Sequence, residues 1–469
     1  MPNAIAYLVM LAYVPWCFFA FWRWPAKRAV LLCIFGASLF LPANFQGIDP
    51  PLLPALTKET WCPLWTLIAC VVMQRDALKV GVFRGPQVLV LFMYLGSVGT
   101  WLTNGEPIRH GPVTLPGITA YDTFANVLDK TTMWVPAFYL GYALFRDSRD
   151  LYALMKFIVQ CALVYTLFIM FELRMSPQLH NWIYGYHPSD FVQTIRFGGY
   201  RPMCFMRHGL NLALFMTVAT FCSIAIMKAK LTISSFWTPP RTFALLLVTL
   251  IFCKSTGAYF HLLIGLPLLL FTKPRTQGRV TAVIVGVILT YPMLRLADLV
   301  PVDGIHDFMA ENVNEERALS LWFRLFTEGQ ILENTRDRLF FGWGGYGRAM
   351  EYDEATGEML SVLDGYWTIE LGANGLAGWA CVFGMMLWPV ISALRALKRI
   401  TDPQIQRLVA TAAFIIALYV SDWLPNSSLA MEFTLFAGAL GGCIPGILAE
   451  EAARRRVGGG TAAPPPVPT

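Results

Sequence analysis

Long apolar stretches separated by short polar ones run through almost the whole chain of 469 residues. A helix needs about 20 mainly apolar residues to span a bilayer, or fewer where protein covers its ends. The pattern therefore predicts an all-α polytopic membrane protein with about 12–13 transmembrane helices and a large, partly helical external loop. The candidate segments are 4–22, 29–42, 60–74, 87–103, 121–145, 151–173, 207–227, 241–253, 257–272, 280–297, 363–393, 404–423 and 429–448.

The polar connections between these segments differ in charge. Every second connection is rich in lysine and arginine, and loops of this kind face the cytoplasm. This asymmetry predicts that the N-terminus lies outside and the C-terminal tail, 449–469, lies inside. The composition of that tail cannot bury a core, so we expect it to be disordered. The basic connections contain Arg23, Lys27 and Arg28; Arg75, Lys79 and Arg84; Arg146 and Arg149; Lys228 and Lys230; Lys273, Arg275 and Arg279; Arg395, Lys398 and Arg399; and Arg454 to Arg456.

The external connections include three long segments: 104–120, 174–206 and 298–362. Loops of this length are usually functional or disordered. The longest has an apolar pattern typical of a helix, and all its basic residues are arginines. We therefore divide the chain into ten helices with short external segments (1–297), the external loop that carries site residues (298–362), three further helices (363–448) and the tail.

The composition excludes a soluble protein. Hydrophobic residues make up 56% of the chain and charged residues 14%, whereas soluble proteins have about 25% charged residues. The formal charge of +6 comes from basic residues scattered between apolar runs, so no nucleic-acid partner is expected. The ten cysteines show no CxxC or Cys/His spacing, which indicates neither a zinc site nor a disulfide framework.

Three external segments are candidates for chemistry. In the first, "GGYRPMCFMRHGLNLALF" (198–215), Arg201, Arg207 and His208 precede an inward-running helix. The outer end of this helix is its N-terminus, where free N–H groups and the helix dipole favour anions. A lone histidine at such a boundary has an alternative interpretation, as a structural hydrogen-bonding group.

The second segment, "RLFTEGQILENTRDRLFFGWGGYGRAM" (324–350), begins at Arg324 and contains Gly342, Gly344 and Arg348. A helix over its first half should lead into a turn where the backbone approaches another group closely. The glycine spacing is not a nucleotide-binding fingerprint, since no strand precedes it. The alternatives are a structural glycine turn and arginines that pair with the acidic residues of the same loop.

The third segment, "LDGYWTIELGANGLAGW" (363–379), opens the eleventh helix. Asp364 lies at the outer end, where an aspartate is also a favoured helix cap. Glu370 lies six residues deeper and needs a partner in that environment. Asn374 and Gly375 then interrupt the apolar pattern.

In this order and spacing, the three segments resemble the O-antigen ligase and polymerase family of bacterial cell-envelope glycosyltransferases. The family pattern has an arginine-rich patch before a mid-chain helix, then a periplasmic loop with an arginine and a P-x-x-G-x-G turn. A segment ending in E-x-G-x-x-G returns to the membrane. The resemblance covers roughly 196–385, through Arg201, the Arg207–His208 pair, Arg324, "LFFGWGGYG" and "DGYWTIELGANGLAG".

The resemblance implies an enzyme of the bacterial inner membrane that joins lipid-linked glycans on the periplasmic face. Its donor is an undecaprenyl-pyrophosphate-linked oligosaccharide, and its acceptor is a second glycan or lipid A core. Arginines can stabilise a pyrophosphate leaving group without a metal, and no cofactor is expected. A flippase and a chain-length regulator are the expected partners. Ligases of the family carry a histidine where this chain has Asp364, which favours a polymerase of exopolysaccharide or O-antigen repeat units over a ligase.

The resemblance also assigns roles to individual residues. Asp364 and His208 are the expected catalytic residues. The expected substrate-binding residues are Arg201, Arg207, Arg324, Arg348, Gly342, Gly344 and Glu370.

Two other classes of function compete with an enzyme, namely a small-anion transporter and a non-catalytic assembly or anchoring protein. Transporters usually combine ionisable residues at mid-membrane, broken helices and internal repeats. No internal repeat is evident here, and the charge is concentrated in an external loop. The internal charged residues are few: Asp129, Lys130, Lys156 and Glu172. These features favour the enzyme.

Overall fold

The structure is a computed structural model that describes residues 1–45, 57–78, 86–312, 315–361 and 364–458. Almost all of its regular structure is helical, which confirms the predicted all-α fold. The helices are α1 (Ala4–Arg23), α2 (Ala26–Phe40), α3 (Lys58–Gln74), α4 (Gln87–Thr103), α5 (Ala120–Leu144), α6 (Ser148–Met175), α7 (Leu179–Tyr184), α8 (Gly209–Lys228), α9 (Pro239–Phe252), α10 (Thr256–Phe271), α11 (Pro274–Leu296), α12 (Val302–Asn312), α13 (Glu315–Arg336), α14 (Tyr366–Leu397), α15 (Pro403–Ser421) and α16 (Met431–Gly458).

The chain is a multi-pass membrane protein. Among the described residues, seven helices are long and apolar enough to span a membrane: α1, α6, α8, α11, α14, α15 and α16. Three shorter apolar helices accompany them, namely α9, α10 and the part of α4 that runs from Val88 to Thr103. Several of these helices begin directly after a polar side chain. Asn3, Asp147 and Asp402 each accept a hydrogen bond from a backbone N–H in the first turn that follows, as N-cap residues do.

Contacts between the helix ends show that the segments that connect the helices lie on two opposite sides of the protein. On the side that holds the C-terminal end of α16, Lys27 Nζ lies 2.6 Å from Asp150 Oδ1, and Arg454 pairs with Asp402. We call this the tail side. It holds the basic connections identified in the sequence, except that Lys79 and Arg84 lie outside the described residues.

The opposite side, the loop side, holds the N-terminus and the segments that contain the candidate residues. The Asn3 backbone N–H donates to the Tyr184 carbonyl at 2.9 Å. Further along the chain, the Tyr346 hydroxyl lies 2.5 Å from Asp122 Oδ1 at the start of α5. The three external segments of the sequence analysis therefore share one side of the protein.

The centre of the helical body lies around α8, α15 and α16. In the most apolar stretch of α8, 83% of the residues are buried inside the protein, whereas only 33% are buried in that of α1. Helix α8 is therefore central, and α1 lies at the periphery of the helical body. Glycines let α16 approach α5 closely. A Cβ added at Gly438 would lie 2.1 Å from the Phe138 carbonyl oxygen, which is the small-residue packing common between membrane helices.

Four local features differ from the sequence prediction. The short helix α7 and two hairpins were not expected. The hairpins pair β1 (Ile108–His110) with β2 (Val113–Leu115), and β3 (Ile195–Arg196) with β4 (Gly199–Tyr200). The prediction of a disordered tail from 449 is wrong for residues 449–458, because α16 continues to Gly458. Residues 459–469 lie outside the described residues.

Candidate anion-binding and catalytic site

Arg201 is a buried cation without an acidic partner. Only 4% of its surface is exposed, and its Nη2 donates to the Ser255 hydroxyl at 3.0 Å. Its Nε has no hydrogen-bond partner among the described residues, and no acidic side chain there pairs with it. Burial, with the nearby charge of Arg196, lowers the pKa of Arg201 to about 10. A buried charge needs a counter-charge, so this guanidinium is suited to hold an anion.

Three further basic residues lie near Arg201, and we call the four together the cationic patch: Arg196, Arg201, Arg207 and Lys254. Arg196 and Arg207 are exposed, and Lys254 is half-buried. The Lys254 ammonium lies against Gly199, where an added Cβ would clash with it. None of the four forms an ion pair within the described parts of the chain. Such a concentration of unpaired positive charge favours a multiply charged anion.

Glu172 holds the backbone that carries this patch. Its side chain is fully buried near the end of α6. Its Oε2 accepts hydrogen bonds from the backbone N–H groups of Met203 at 2.9 Å and Cys204 at 2.7 Å. Its Oε1 accepts one from Leu179 at 3.2 Å. The carboxylate therefore fixes the loop between Arg201 and Arg207, a positioning role that the sequence did not indicate.

His208 is the N-cap of α8. Its Nδ1 accepts a hydrogen bond from the Leu210 backbone N–H at 3.2 Å, and its Nε2 lies 2.9 Å from Gln193 Oε1. This pairing requires the neutral tautomer with the proton on Nε2. Burial and the charges of neighbouring arginines, first among them Arg201, lower the pKa of His208 to about 4. Both ring nitrogens are thus occupied by protein groups, in agreement with the structural alternative for this histidine.

Arg324 and Asp364, separated by the end of the long loop, form an ion pair. Arg324 Nε lies 3.1 Å from Asp364 Oδ2, and about half of each side chain is exposed. The N-cap of α14 is Gly365, and no side chain caps this helix end. Asp364 is therefore not the helix cap, and its carboxylate is accessible to a ligand.

The position of Arg324 depends on how α13 is fixed to its neighbours. Glu328 lies one turn further along α13 and accepts hydrogen bonds from Arg295 Nε at 2.6 Å and the Tyr291 hydroxyl at 2.8 Å. Both donors belong to the last turns of α11. Because residues four apart lie on the same helix face, this anchor holds Arg324 in place at the start of α14.

The glycine-rich turn after α13 docks against a break in α14. The helix is interrupted at Gly375, whose φ is +63°. The backbone N–H groups of Leu376 and Ala377 donate instead to the carbonyls of Leu339 at 2.8 Å and Phe340 at 3.1 Å. Unpaired backbone groups inside a membrane protein are costly, and the turn satisfies those freed by the break.

Gly342 and Gly344 belong to this docking contact. The Gly342 N–H donates to the Arg338 carbonyl at 2.7 Å, and the Gly344 N–H donates to the Ala373 carbonyl at 2.9 Å. A Cβ at Gly342 would lie 2.5 Å from the Ala373 carbonyl carbon. The close backbone approach expected from the sequence is therefore an approach to α14, and neither N–H is free for a ligand.

Arg348 connects the same turn to the first hairpin. It is buried, and its Nη1 donates to the carbonyls of Glu106 at 3.0 Å and Pro116 at 2.7 Å. Two arginines before it pair with acids, Arg336 with Asp298 and Arg338 with Glu106. Pairing with acids of the same loop therefore describes Arg336 only, since Glu106 belongs to the 104–120 segment. The Nε and Nη2 of Arg348 have no hydrogen-bond partner among the described residues.

Glu370 has the buried partner that its depth requires. It forms an ion pair with Lys130 of α5, and the Tyr366 hydroxyl donates to its Oε2 at 2.9 Å. Its Oε1 has no partner among the described residues. The pair joins α14 to α5 just below Asp364.

The connection between α15 and α16 lies between the two exposed parts of the site. The Tyr366 backbone N–H, two residues after Asp364, donates to the Asn426 carbonyl at 3.1 Å. Leu429, three residues further on, lines a cavity together with Arg207. The loop between α15 and α16 therefore contacts the segment that follows Asp364 and lines a cavity with one residue of the cationic patch.

Comparison with known proteins gives no assignment, since the sequence matches no known family model and no curated protein.

Sequence reasoning missed Arg196, Lys254 and Glu172. A signal for Lys254 was present, because it lies in a short loop-side connection, and lysine is depleted from connections on the outer side. Arg196 lies in the long external segment 174–206 and has no local signal that distinguishes it from the other basic residues there. The role of Glu172 depends on a contact over about thirty residues and has no local signal.

Proposed function

We propose that the chain is a metal-independent membrane glycosyltransferase that polymerises undecaprenyl-pyrophosphate-linked oligosaccharides at the periplasmic face of the bacterial inner membrane. The observation that carries the proposal is Arg201, a buried guanidinium that, like the rest of the cationic patch, has no acidic partner among the described residues. A pyrophosphate supplies the missing negative charge. The products are exopolysaccharide or O-antigen chains.

The chemistry requires stabilisation of a leaving group. The acceptor hydroxyl oxygen bonds to the anomeric carbon of the donor, and the bond from that carbon to the pyrophosphate oxygen breaks. Its electron pair leaves with undecaprenyl pyrophosphate, whose charge grows as the bond breaks. Arg201 and Arg207 donate charge-assisted hydrogen bonds to such oxygens, and fixed donors aimed at developing charge contribute strongly to rate.

The Arg324–Asp364 pair supplies the second part of the site. The Asp364 carboxylate accepts the proton of the acceptor hydroxyl as the new bond forms. Arg324 releases Asp364 when the donor arrives and binds the donor phosphates instead. The partial exposure of both side chains leaves room for an acceptor to approach.

The membrane orientation follows from the charge of the connections. Basic connections on the tail side face the cytoplasm, and the loop side faces the periplasm. The carrier's lipid tail then remains in the bilayer, while its pyrophosphate reaches the level of the helix N-termini. Nucleotide sugars are absent from that compartment, which fits a donor activated as a lipid-linked pyrophosphate.

Two other functions have support. Transfer to lipid A core uses the same donor site and differs only in the acceptor. A small-anion transporter is favoured by the break at Gly375 and the buried Lys130–Glu370 pair, which are features of carriers. The break in α14 is closed by hydrogen bonds to residues 339–340, so the enzyme remains the better proposal.

The test uses purified protein in nanodiscs with the lipid-linked saccharide that accumulates when the gene is deleted in its own host. The unaltered protein should convert it to polymer and bind undecaprenyl pyrophosphate. Arg201→Lys keeps the charge but loses the planar guanidinium, which binds phosphate oxygens with two parallel hydrogen bonds. The rate of polymer formation should therefore fall by about 10²–10³. Arg174→Lys, at an exposed loop-side arginine, is the matched control. Normal turnover in Arg201→Lys, or no turnover by the unaltered protein, contradicts the proposal.

A further inference from the structure

A small polar cavity lies beside the cationic patch on the loop side. It is enclosed by the last turn of α2 and the first turns of α3, α8 and α16, with a volume of ≈20 Å³. A cavity of about this size holds one water-sized group. Its polar lining consists of Ser38, Lys58, Glu59, Arg207, Asn211 and Glu432.

Glu432 is the buried acid of this cavity. Only 2% of its surface is exposed, and the Ser38 hydroxyl donates to its Oε2 at 2.7 Å. No basic side chain among the described residues forms an ion pair with it. A carboxylate has about four acceptor positions, so capacity remains for a further donor in the cavity.

Lys58 lies beside Glu432 but its ammonium is engaged elsewhere. Its Nζ donates to the backbone carbonyls of Ser38 at 3.0 Å, Leu41 at 3.2 Å and Phe205 at 3.3 Å. Three N–H donors thus meet three acceptors. The lysine fixes the end of α2 against the loop that carries Arg207, and it leaves the Glu432 carboxylate available.

Asn211 provides the other free polar group. It lies in the first turn of α8 and lines the cavity. Its side-chain amide makes no hydrogen bond to any described residue, so it can both donate and accept. A carboxylate and an amide facing one water-sized space match a hydroxyl group, which donates one hydrogen bond and accepts others.

We propose that this cavity binds one hydroxyl group of the sugar that is bonded directly to the pyrophosphate, with Glu432 and Asn211 as its hydrogen-bonding partners. The inference rests on the proposed function and deepens it. Arg207 belongs to both the cationic patch and the cavity, so a pyrophosphate on the patch places its own sugar at the cavity. A site built to pair a substrate hydroxyl discriminates strongly against sugars that lack it, which makes the cavity a specificity determinant.

The test compares two probes on the full-length protein in nanodiscs: undecaprenyl pyrophosphate, and the lipid-linked saccharide that accumulates in the deletion host. Glu432→Gln should weaken binding of the saccharide-bearing probe by about tenfold or more, as expected for a lost charged hydrogen bond. Binding of undecaprenyl pyrophosphate should remain unchanged. Arg201→Lys should weaken binding of both probes, which separates the sugar subsite from the pyrophosphate site.

A second variant keeps the test decisive if Glu432→Gln does not fold. Asn211→Ala removes a half-buried amide and should reproduce the selective loss of the saccharide-bearing probe. If Glu432 only balances the charge of Lys58, the double variant Lys58→Met/Glu432→Gln should bind that probe as the unaltered protein does.

Restored binding in the double variant, or equal effects of Glu432→Gln on the two probes, would overturn the inference and leave the proposed function intact. Unchanged binding of both probes in Asn211→Ala and Glu432→Gln would show that the cavity holds a structural water, and would overturn it as well. Failure of the unaltered protein to bind undecaprenyl pyrophosphate would overturn the proposed function, and the inference with it.

Discussion

Arg324 Nε lies 3.1 Å from Asp364 Oδ2, so a single ion pair joins α13 to the residue that precedes the N-cap of α14. Each side chain is about half exposed, and pairs of this kind contribute only about 0–1 kcal/mol to stability. A weak, accessible pair can be opened by a ligand. We therefore expect the pair to serve the proposed activity, with Asp364 as the proton acceptor and Arg324 as a phosphate-binding residue.

Replacing Asp364 with asparagine tests that role. Asp364→Asn keeps the shape of the side chain but removes its ability to accept a proton. The rate of polymer formation should fall by about 10²–10⁴, while the thermal midpoint changes little. Turnover of the lipid-linked saccharide in nanodiscs and thermal unfolding in detergent measure the two effects.

The matched control is Asp337→Asn, at an exposed aspartate just after α13 that forms no ion pair within the described residues. It should leave both quantities unchanged. If Asp364→Asn makes polymer at the normal rate, Asp364 is not the proton acceptor.

The cap of α8 makes stability depend on pH through His208. Its pKa is lowered to about 4 in the folded protein, from an ordinary value near 6.5. The unfolded chain therefore binds the proton first as the pH falls. The stabilisation by the neutral ring is complete above about pH 6.5 and is lost progressively towards pH 4, by at most about 3 kcal/mol.

His208→Asn isolates this effect, because asparagine is a good N-cap that does not titrate. The thermal midpoint of the unaltered protein should fall relative to that of the variant between pH 6.5 and pH 4. Parallel pH profiles for the two proteins would mean that His208 is not held neutral as a cap.

His208 and Asp364 show what the sequence could and could not predict. Contiguous apolar runs identify the membrane helices, since length and hydropathy are local properties. The first residue of a helix can be predicted only to within one or two positions. That small shift makes His208 the cap of α8 and leaves Asp364 outside α14, whereas two interpretations of each residue were open from the sequence.

The pairing of arginines could not be predicted for a different reason. Arg201 and Arg336 both lie in external segments that are rich in arginine and glycine. Arg336 meets Asp298, which follows the end of α11, whereas Arg201 is buried against Ser255 and forms no ion pair among the described residues. The difference depends on tertiary neighbours distant in sequence, so only the structure distinguishes the candidate anion site from an ordinary surface pair.

The break in α14 should be sensitive to a single methyl group. Gly375 has a φ of +63°, and an added Cβ would lie 2.4 Å from the Phe340 carbonyl carbon. Gly375→Ala therefore combines a strained backbone, costing about 1–3 kcal/mol, with a clash against the docked turn. We expect a clear fall in the thermal midpoint. Gly345→Ala, in the same glycine-rich turn but with no atom within 4 Å of its added Cβ, should be nearly neutral, and equal effects would argue against the docking contact.

The two sides of the protein allow a topology test with three reporters. Asn3 contacts Tyr184 on the loop side, and α16 ends on the tail side, so fusions before Asn3 and at Asp353 should behave alike. Both should activate alkaline phosphatase, which folds only in the periplasm, whereas a fusion after Arg456 should give a fluorescent cytoplasmic reporter. A cytoplasmic signal at Asp353 would reverse the orientation and exclude the proposed donor.

The Lys130–Glu370 pair permits a final test of whether Glu370 serves the fold or the substrate. Both side chains are largely buried, and removing one member of a buried pair leaves an uncompensated charge that costs about 3–5 kcal/mol. Lys130→Met and Glu370→Gln should each lower the thermal midpoint strongly. The double variant should recover most of that loss, because neither charge then remains alone. If the double variant instead shows the sum of the two losses, the residues act independently, and the unpaired Oε1 of Glu370 is then available to bind substrate, as the sequence predicted.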